Sequence, residues 1–248
     1  MTSGLRFAKV GRSFGDNVAL LDLELDCPAG TMTCLIGPNG AGKSTALALA
    51  AGLLPPTAGA VLFNEKPLRL EIAPETTGYL PQRSAFHPAF TVGEVLDFAV
   101  AARGANDDER RRALEVTGLA EVLGRFVGEL SGGWVRRLGL LSALLGEPAL
   151  VLLDEPFVGL DPETHDRLID HFERCLEVGA TIVVASHDFE VLDPFEPTVA
   201  VLDDGRLRLT AGVSAASTRT DGDSPTSSRA VYRQALGAEP LEARRGSD

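Results

Sequence analysis

Basic residues are scarce in this chain. Twenty-three lysines and arginines stand against 35 aspartates and glutamates, a net charge of −12. A nucleic-acid partner needs a clustered positive face, so the balance argues against one. It leaves contact with a membrane protein open. Long apolar runs are lacking too. The longest, Leu138 to Leu153, is broken by Gly146, Glu147 and Pro148, short of the ~20 residues a spanning helix needs. No basic-then-apolar signal opens the chain. Cysteine is sparse: Cys27, Cys34 and Cys175 are odd in number and lack metal-ligand spacing. That excludes a disulfide framework and fits a reducing cytoplasm. No internal repeat is visible. At 248 residues, the chain is long enough for one large domain or two small ones with a real core.

What the chain does have is one organising stretch: Gly37, Pro38, Asn39, Gly40, Ala41, Gly42, Lys43, Ser44 and Thr45. It follows an apolar run, Met32 to Ile36, that reads as a buried strand. It opens an Ala/Leu-rich segment, Ala46 to Leu54, that reads as a helix. Glycines let backbone N–H groups converge on phosphate oxygens with no Cβ in the way. A helix beginning at Lys43 aims its positive end at the same oxygens. Lys43 should reach the outer phosphates, and the Ser44 hydroxyl should ligate Mg²⁺. The alternative is a glycine turn with an idle lysine.

Before this stretch, Leu5 to Val10 and Val18 to Asp26 read as an antiparallel β region, with turns at Gly11, Gly15 and Pro28-Ala29-Gly30. Phe14 is expected in the first of these turns, where a ring either stacks on adenine or packs. Beyond it, Ala60 to Phe63 and Gly78 to Leu80 are short strands. Gln82 stands at the exit of the second, where open α/β sheets meet ligands. Thr91 and Glu94 form a capping box for a helix over Val92 to about Arg103. Asp107 can cap another helix, and Leu119 to Gly124 make a third helical piece. Residues 84 to 146 read as a helical subdomain inserted into the α/β core. Ser131, in Ser-Gly-Gly-Trp, can cap a helix running to Leu145.

Ala149 to Leu153 is an unbroken apolar run ending in Asp154 and Glu155. It suits a strand buried on both faces. Neighbours on a strand point opposite ways, so the two carboxylates divide their work. One can hold Mg²⁺ and the other can orient or deprotonate water; a solvated acidic turn is the bland reading. Asp161-Pro162 starts a helix to Gly179, with His165 and His171 expected on its exposed face. Ala180 to Ala185 is a further buried strand, and His187 stands just beyond its end. Val199 to Leu202 and Leu207 to Leu209 pair as a hairpin. From about 211 to 248 the chain reads as a flexible tail, within which Arg229 to Leu236 can form a short helix.

In order, these residues resemble the ATP-binding subunit of an ABC (ATP-binding cassette) transporter over residues 4 to 210. Gly37 to Thr45 matches its Walker A motif, and Gln82 its Q-loop. Leu130-Ser131-Gly132-Gly133-Trp134 matches its signature, normally Leu-Ser-Gly-Gly-Gln. Val151 to Asp154 matches Walker B, followed by the catalytic glutamate at Glu155. Gly159-Leu160-Asp161 matches the D-loop, and His187 the switch histidine. Phe14 falls where the family places an aromatic under adenine. The resemblance implies an α/β fold: a P-loop NTPase core, its mostly parallel sheet flanked by helices on both faces, with an antiparallel β region and an inserted helical subdomain.

It also implies an ATPase whose cofactors are ATP and Mg²⁺. Asp154, Ser44 and Gln82 would serve the metal, Glu155 would polarise the attacking water, and His187 would link Glu155 to the γ-phosphate. Ser131 and Gly133 would act in trans, on ATP held by a second subunit's Walker A, so that two copies form a homodimer around two ATPs. ATP binding would close the dimer and hydrolysis open it. An integral membrane transport subunit would receive the motion, holding the chain on the cytoplasmic face of the membrane. The alternatives are a soluble ABC ATPase of a cofactor-assembly or regulatory complex, and an inactive nucleotide-binding module. Trp134 departs from the signature glutamine. An indole donates one hydrogen bond and accepts none, so an altered grip on the partner's nucleotide is expected.

Overall fold

The computed structural model describes residues 4–68, 76–188, 190–213 and 227–237. Its centre is a six-stranded sheet in the order β10-β9-β3-β8-β7-β6. Strands β6 (Thr77–Leu80), β7 (Leu150–Asp154), β8 (Thr181–Ala185), β3 (Met32–Ile36) and β9 (Thr198–Asp203) run parallel, and β10 (Arg206–Gly212) closes one edge antiparallel. All residues of β3, β7 and β8 are buried. That explains their unbroken apolar sequences, since both faces of a parallel sheet are covered. A second, antiparallel sheet has the order β2-β1-β4-β5, made of β1 (Gly4–Phe14), β2 (Asn17–Pro28), β4 (Ala58–Phe63) and β5 (Lys66–Pro67). Gly11, expected at a turn, lies inside β1 at an irregularity in its pairing with β4.

Strand alternation sorts the central residues into two cores. Leu35, Leu152, Val183 and Ala185 face one way, onto α1 (Lys43–Ala50) and the antiparallel sheet. Cys34, Ile36, Val151, Leu153, Ile182 and Val184 face the other, onto Leu168 and Phe172 of α5 (Pro162–Glu177). A third cluster binds together α2 (Val92–Arg103), α3 (Asp107–Thr117) and α4 (Gly132–Leu144). α4 serves two of these cores. Leu138 and Leu141 belong to the helical cluster, while Leu140, Ala143 and Leu144 pack on the sheet. Its approach to β6 is so close that a Cβ on Gly78 would sit 1.9 Å from the Ala143 carbonyl oxygen.

Two of the four start signals read from the sequence operate. Thr91 and Glu94 form the capping box, and Asp161 accepts from the Thr164 N–H ahead of Pro162. Some differ. Asn106, not Asp107, caps α3, because its side chain reaches the N–H groups of Asp108 and Glu109. The piece after α3 is a 3₁₀ turn, Leu119–Val122. α1 stops at Ala50, four residues early, where Gly52 takes a left-handed conformation. Of the expected tail, 214–226 and 238–248 lie outside the described residues. The short helix is present as α6 (Ser228–Leu236) and packs on the core through buried Val231 and Tyr232.

His171 is the clearest correction. It is buried, at 4 % exposure, because it shares the inward face of α5 with Leu168, Phe172 and Cys175. Its Nε2 lies 3.4 Å from Cys175 Sγ, and Nδ1 has no hydrogen-bond partner among the described residues. Burial, reinforced by the charges of Arg174 and Arg112, pushes its pKa down to about 4. Between pH 6.5 and 4 the unfolded chain therefore binds a proton that the folded chain refuses, so stability falls as pH falls through that window. The whole effect is at most about 3 kcal/mol. Replacing His171 with Leu should remove it: urea unfolding should show the variant losing less stability than the parent between pH 6.5 and 4. Parallel pH profiles would contradict this.

Candidate functional site

The carboxyl ends of the parallel strands open into a cavity of about 480 Å³. Phe14, Asn39, Gly40, Ala41, Gly42, Lys43, Ser44, Thr45, Gln82, Asp154, Glu155 and His187 line it together. These come from separate parts of the chain, and strand ends are where an open α/β sheet collects them. Gly42 begins α1 in a left-handed conformation, φ 101°, and a Cβ there would meet the Ala19 carbonyl oxygen at 2.6 Å. The backbone can make this turn only without a side chain. Lys43, the first residue of α1, folds its ammonium back onto the loop and donates to the carbonyls of Gly37 (2.7 Å) and Pro38 (3.0 Å).

The electrostatics are strained on both sides. Lys43 and Asp154 are 8 % and 2 % exposed. Burial lowers the Lys43 pKa despite the attraction of Glu155 and Asp154. Burial also raises that of Asp154, despite a hydrogen bond from Ser44 and the charges of Lys43, Arg136 and His187. Each group is disfavoured in its charged form, so desolvation exceeds their mutual attraction. One carboxylate oxygen of Asp154, Oδ2, is buried with no hydrogen-bond partner among the described residues. An anion beside Lys43 and a cation beside Asp154 would relieve both.

Glu155 corrects a sequence expectation. The two adjacent carboxylates line the same cavity. Strand alternation does not separate them because Glu155 has left the strand, with φ at 53°. A bulky residue in that region is strained and persists only where its surroundings fix it. The surroundings do so here. Its N–H donates to the Ala185 carbonyl at 2.7 Å. Its Oε2 accepts from the His187 N–H (3.2 Å) and the Ser186 hydroxyl (3.4 Å), and its Oε1 lies 3.4 Å from His187 Nε2.

Ser131, Gly133 and Asp161 do not join this cavity. Ser131 is exposed and its hydroxyl makes no cap on α4, contrary to expectation, so the helix start is open to solvent. Asp161 is occupied as the cap of α5 and in an ion pair with Arg137. The Arg137 guanidinium in turn lies 4.4 Å over the Trp134 ring, so one face of that indole is taken. Phe14 lines the cavity half-exposed, with the Arg12 guanidinium 4.5 Å from its ring centre. Sequence reasoning missed Asn17, Val18, Ala19 and Asp204, which line the cavity from two hairpins. No short pattern marks them. It also missed Arg136, treated below.

Among known proteins, the ABC transporter family model matches residues 20–158, more than half of the chain. The chain belongs to the ABC transporter family. A second model, for an AAA domain, matches residues 127–193. Relatives within the ABC family include a carnitine transport ATP-binding protein, OpuCA, of Listeria monocytogenes, 32 % identical over 82 % of this chain and 54 % of the relative. The Nod factor export ATP-binding protein I of Burkholderia lata is 35 % identical over 81 % of the chain and 68 % of the relative. The chain thus spans about half to two thirds of the length of these ABC relatives. A solved structure of an ATP-binding subunit of an ABC transporter superposes with a TM-score of 0.77 at 29 % identity, covering 85 % of this chain and 90 % of that one. A dimeric ABC cassette, MJ0796, in a post-hydrolysis state with ADP and Pi, superposes at 0.73 with 28 % identity, covering 84 % and 98 %.

Proposed function

We propose that this chain binds and hydrolyses ATP as the energy-supplying subunit of an ABC transporter, working as a two-fold homodimer with a separate integral membrane subunit. The observation that carries the reading is the Glu155–His187 pair in one cavity with the Lys43 loop, while the Ser131 helix start faces solvent outside it. The triphosphate lies along the glycine loop, taking N–H donors and the positive end of α1. Lys43 exchanges its two loop carbonyls for the outer phosphates. Phe14 offers a ring face to adenine. Gln82, Ser44 and Asp154 fit a hard divalent cation, because Asp154 holds a buried, unpartnered carboxylate oxygen beside the Ser44 hydroxyl. Mg²⁺ bound there would offset charge on the phosphates.

Glu155 orients the attacking water and takes its proton as oxygen bonds to the γ-phosphorus and the bond to ADP breaks. His187 steadies Glu155 and contacts the transferred group. The exposed starts of α4 complete the sites across the dimer: Ser131 and Gly133 of each copy face the other copy's nucleotide, and Asp161 lies at the same seam. The names of the relatives, which speak of transport, support a separate membrane subunit. Held this way, the chain sits on the cytoplasmic side.

Glu155→Gln should retain ATP binding, accumulate a closed dimer and cut turnover at least about 100-fold; near-normal phosphate release would remove Glu155 from its role. Co-purification with an integral membrane protein is expected, and recovery only in a soluble complex would favour an assembly factor. Trp134→Gln should shift the ATP concentration needed for dimerisation while the isolated chain's ATP affinity stays constant; unchanged dimerisation would show that the indole has no part in the seam.

A further inference from the structure

Arg136 lies two residues beyond Trp134 on α4, 8 % exposed, and no sequence motif marks it. Among the described residues its guanidinium donates only to backbone carbonyls, and they belong to two different segments. Nη1 donates to Pro81 (2.7 Å) and Gln82 (3.1 Å) at the exit of β6. Nη2 donates to Asp154 and to Glu155 (2.7 Å) at the exit of β7. Burial disfavours the charge, and the nearby Asp154 and Glu155 carboxylates offset part of that cost. A cation is seldom buried on a helix without a partner carboxylate in a direct ion pair. Here four carbonyl oxygens take that place.

From this geometry we infer that Arg136 is the positioning residue for Glu155, and that it locks the Gln82 loop, the Asp154–Glu155 junction and the α4 helix into one unit. The inference rests on the proposed role of Glu155. The left-handed peptide at Glu155 is strained, and two bonds hold that residue's backbone: its own N–H donates to the Ala185 carbonyl, and Arg136 donates to its carbonyl. Without that hold the peptide relaxes toward ordinary backbone angles, and the carboxylate leaves its seat beside His187. The same side chain makes Glu155 answer to α4. Ser131 and Trp134 are within two turns of Arg136, so a displacement of the helix start on docking with a second copy reaches Glu155 through a single rigid fork. The fork is what a lysine lacks: one planar group gives separate nitrogens to the two segments, whereas an ammonium acts from one point.

The test compares Arg136→Met and Arg136→Lys with the parent and with Glu155→Gln, each as the full chain. Both Arg136 variants should lower kcat at least tenfold, with KM for ATP and the melting temperature nearly unchanged. Lys should recover only part of the loss seen with Met. Amide exchange should quicken together in peptides covering Leu80–Gln82 and Asp154–Phe157. A kcat within twofold of the parent while Glu155→Gln is inactive overturns the inference and leaves the Glu155 reading intact. A raised KM with unchanged kcat also overturns it, since that is a nucleotide-binding defect. Substantial turnover by Glu155→Gln takes down both. If the Met variant fails to fold, Arg136→Gln replaces it under the same thresholds.

Discussion

The structure depends on keeping opposite charges out of water at the ends of parallel strands. Lys43 and Asp154 are each buried more deeply than their attraction repays. The apolar sheet beneath them bears that cost, and its fully buried strands β3, β7 and β8 leave the ends no freedom to splay. A site built this way is short of an anion on one side and a cation on the other. In the proposed function a magnesium–triphosphate complex would supply both, and part of its binding free energy would come from relieving the protein's own desolvation.

The second constraint is a division of the chain into two surfaces, which in the proposed dimer would touch the nucleotide from different copies. The cavity gathers the loop, both carboxylates and His187, and it excludes Ser131, Gly133 and Asp161. α4 joins the two halves of the design. One of its faces packs on the sheet, another on the helical cluster, its first turn is open, and its Arg136 reaches the exits of both β6 and β7. A helix shared among so many contacts would move as a body, which suits the proposed role of reporting the approach of a second copy.

Much of this was legible in the sequence, for physical reasons. The strand–glycine–lysine–helix order is local chemistry, and so are the carboxylates after an apolar run. Each could be placed at a strand end without knowing the sheet order. The failures share a cause as well. His171 lies at i, i+3, i+4 and i+7 spacing with Leu168, Phe172 and Cys175; the helical period placed it inside, and residue type misled. Glu155 escaped strand alternation because its left-handed backbone depends on tertiary bonds to Ala185 and Arg136. Arg136 itself, like Asp204 and Asn17, is defined only by what the fold brings to it.

The central claim is that each triphosphate is gripped by the glycine loop of one copy and sealed by the Ser131 helix start of the other. The most direct measurement is the number of ATP molecules occluded by a mixed dimer, in the Glu155→Gln background, of one copy carrying Lys43→Ala and one carrying Ser131→Arg. If the sites form in trans, both lesions fall in one site, the other is intact, and one ATP per dimer is retained. If each copy completed its own site, both would be broken; retention of no ATP, with each parent homodimer equally empty, would contradict the account.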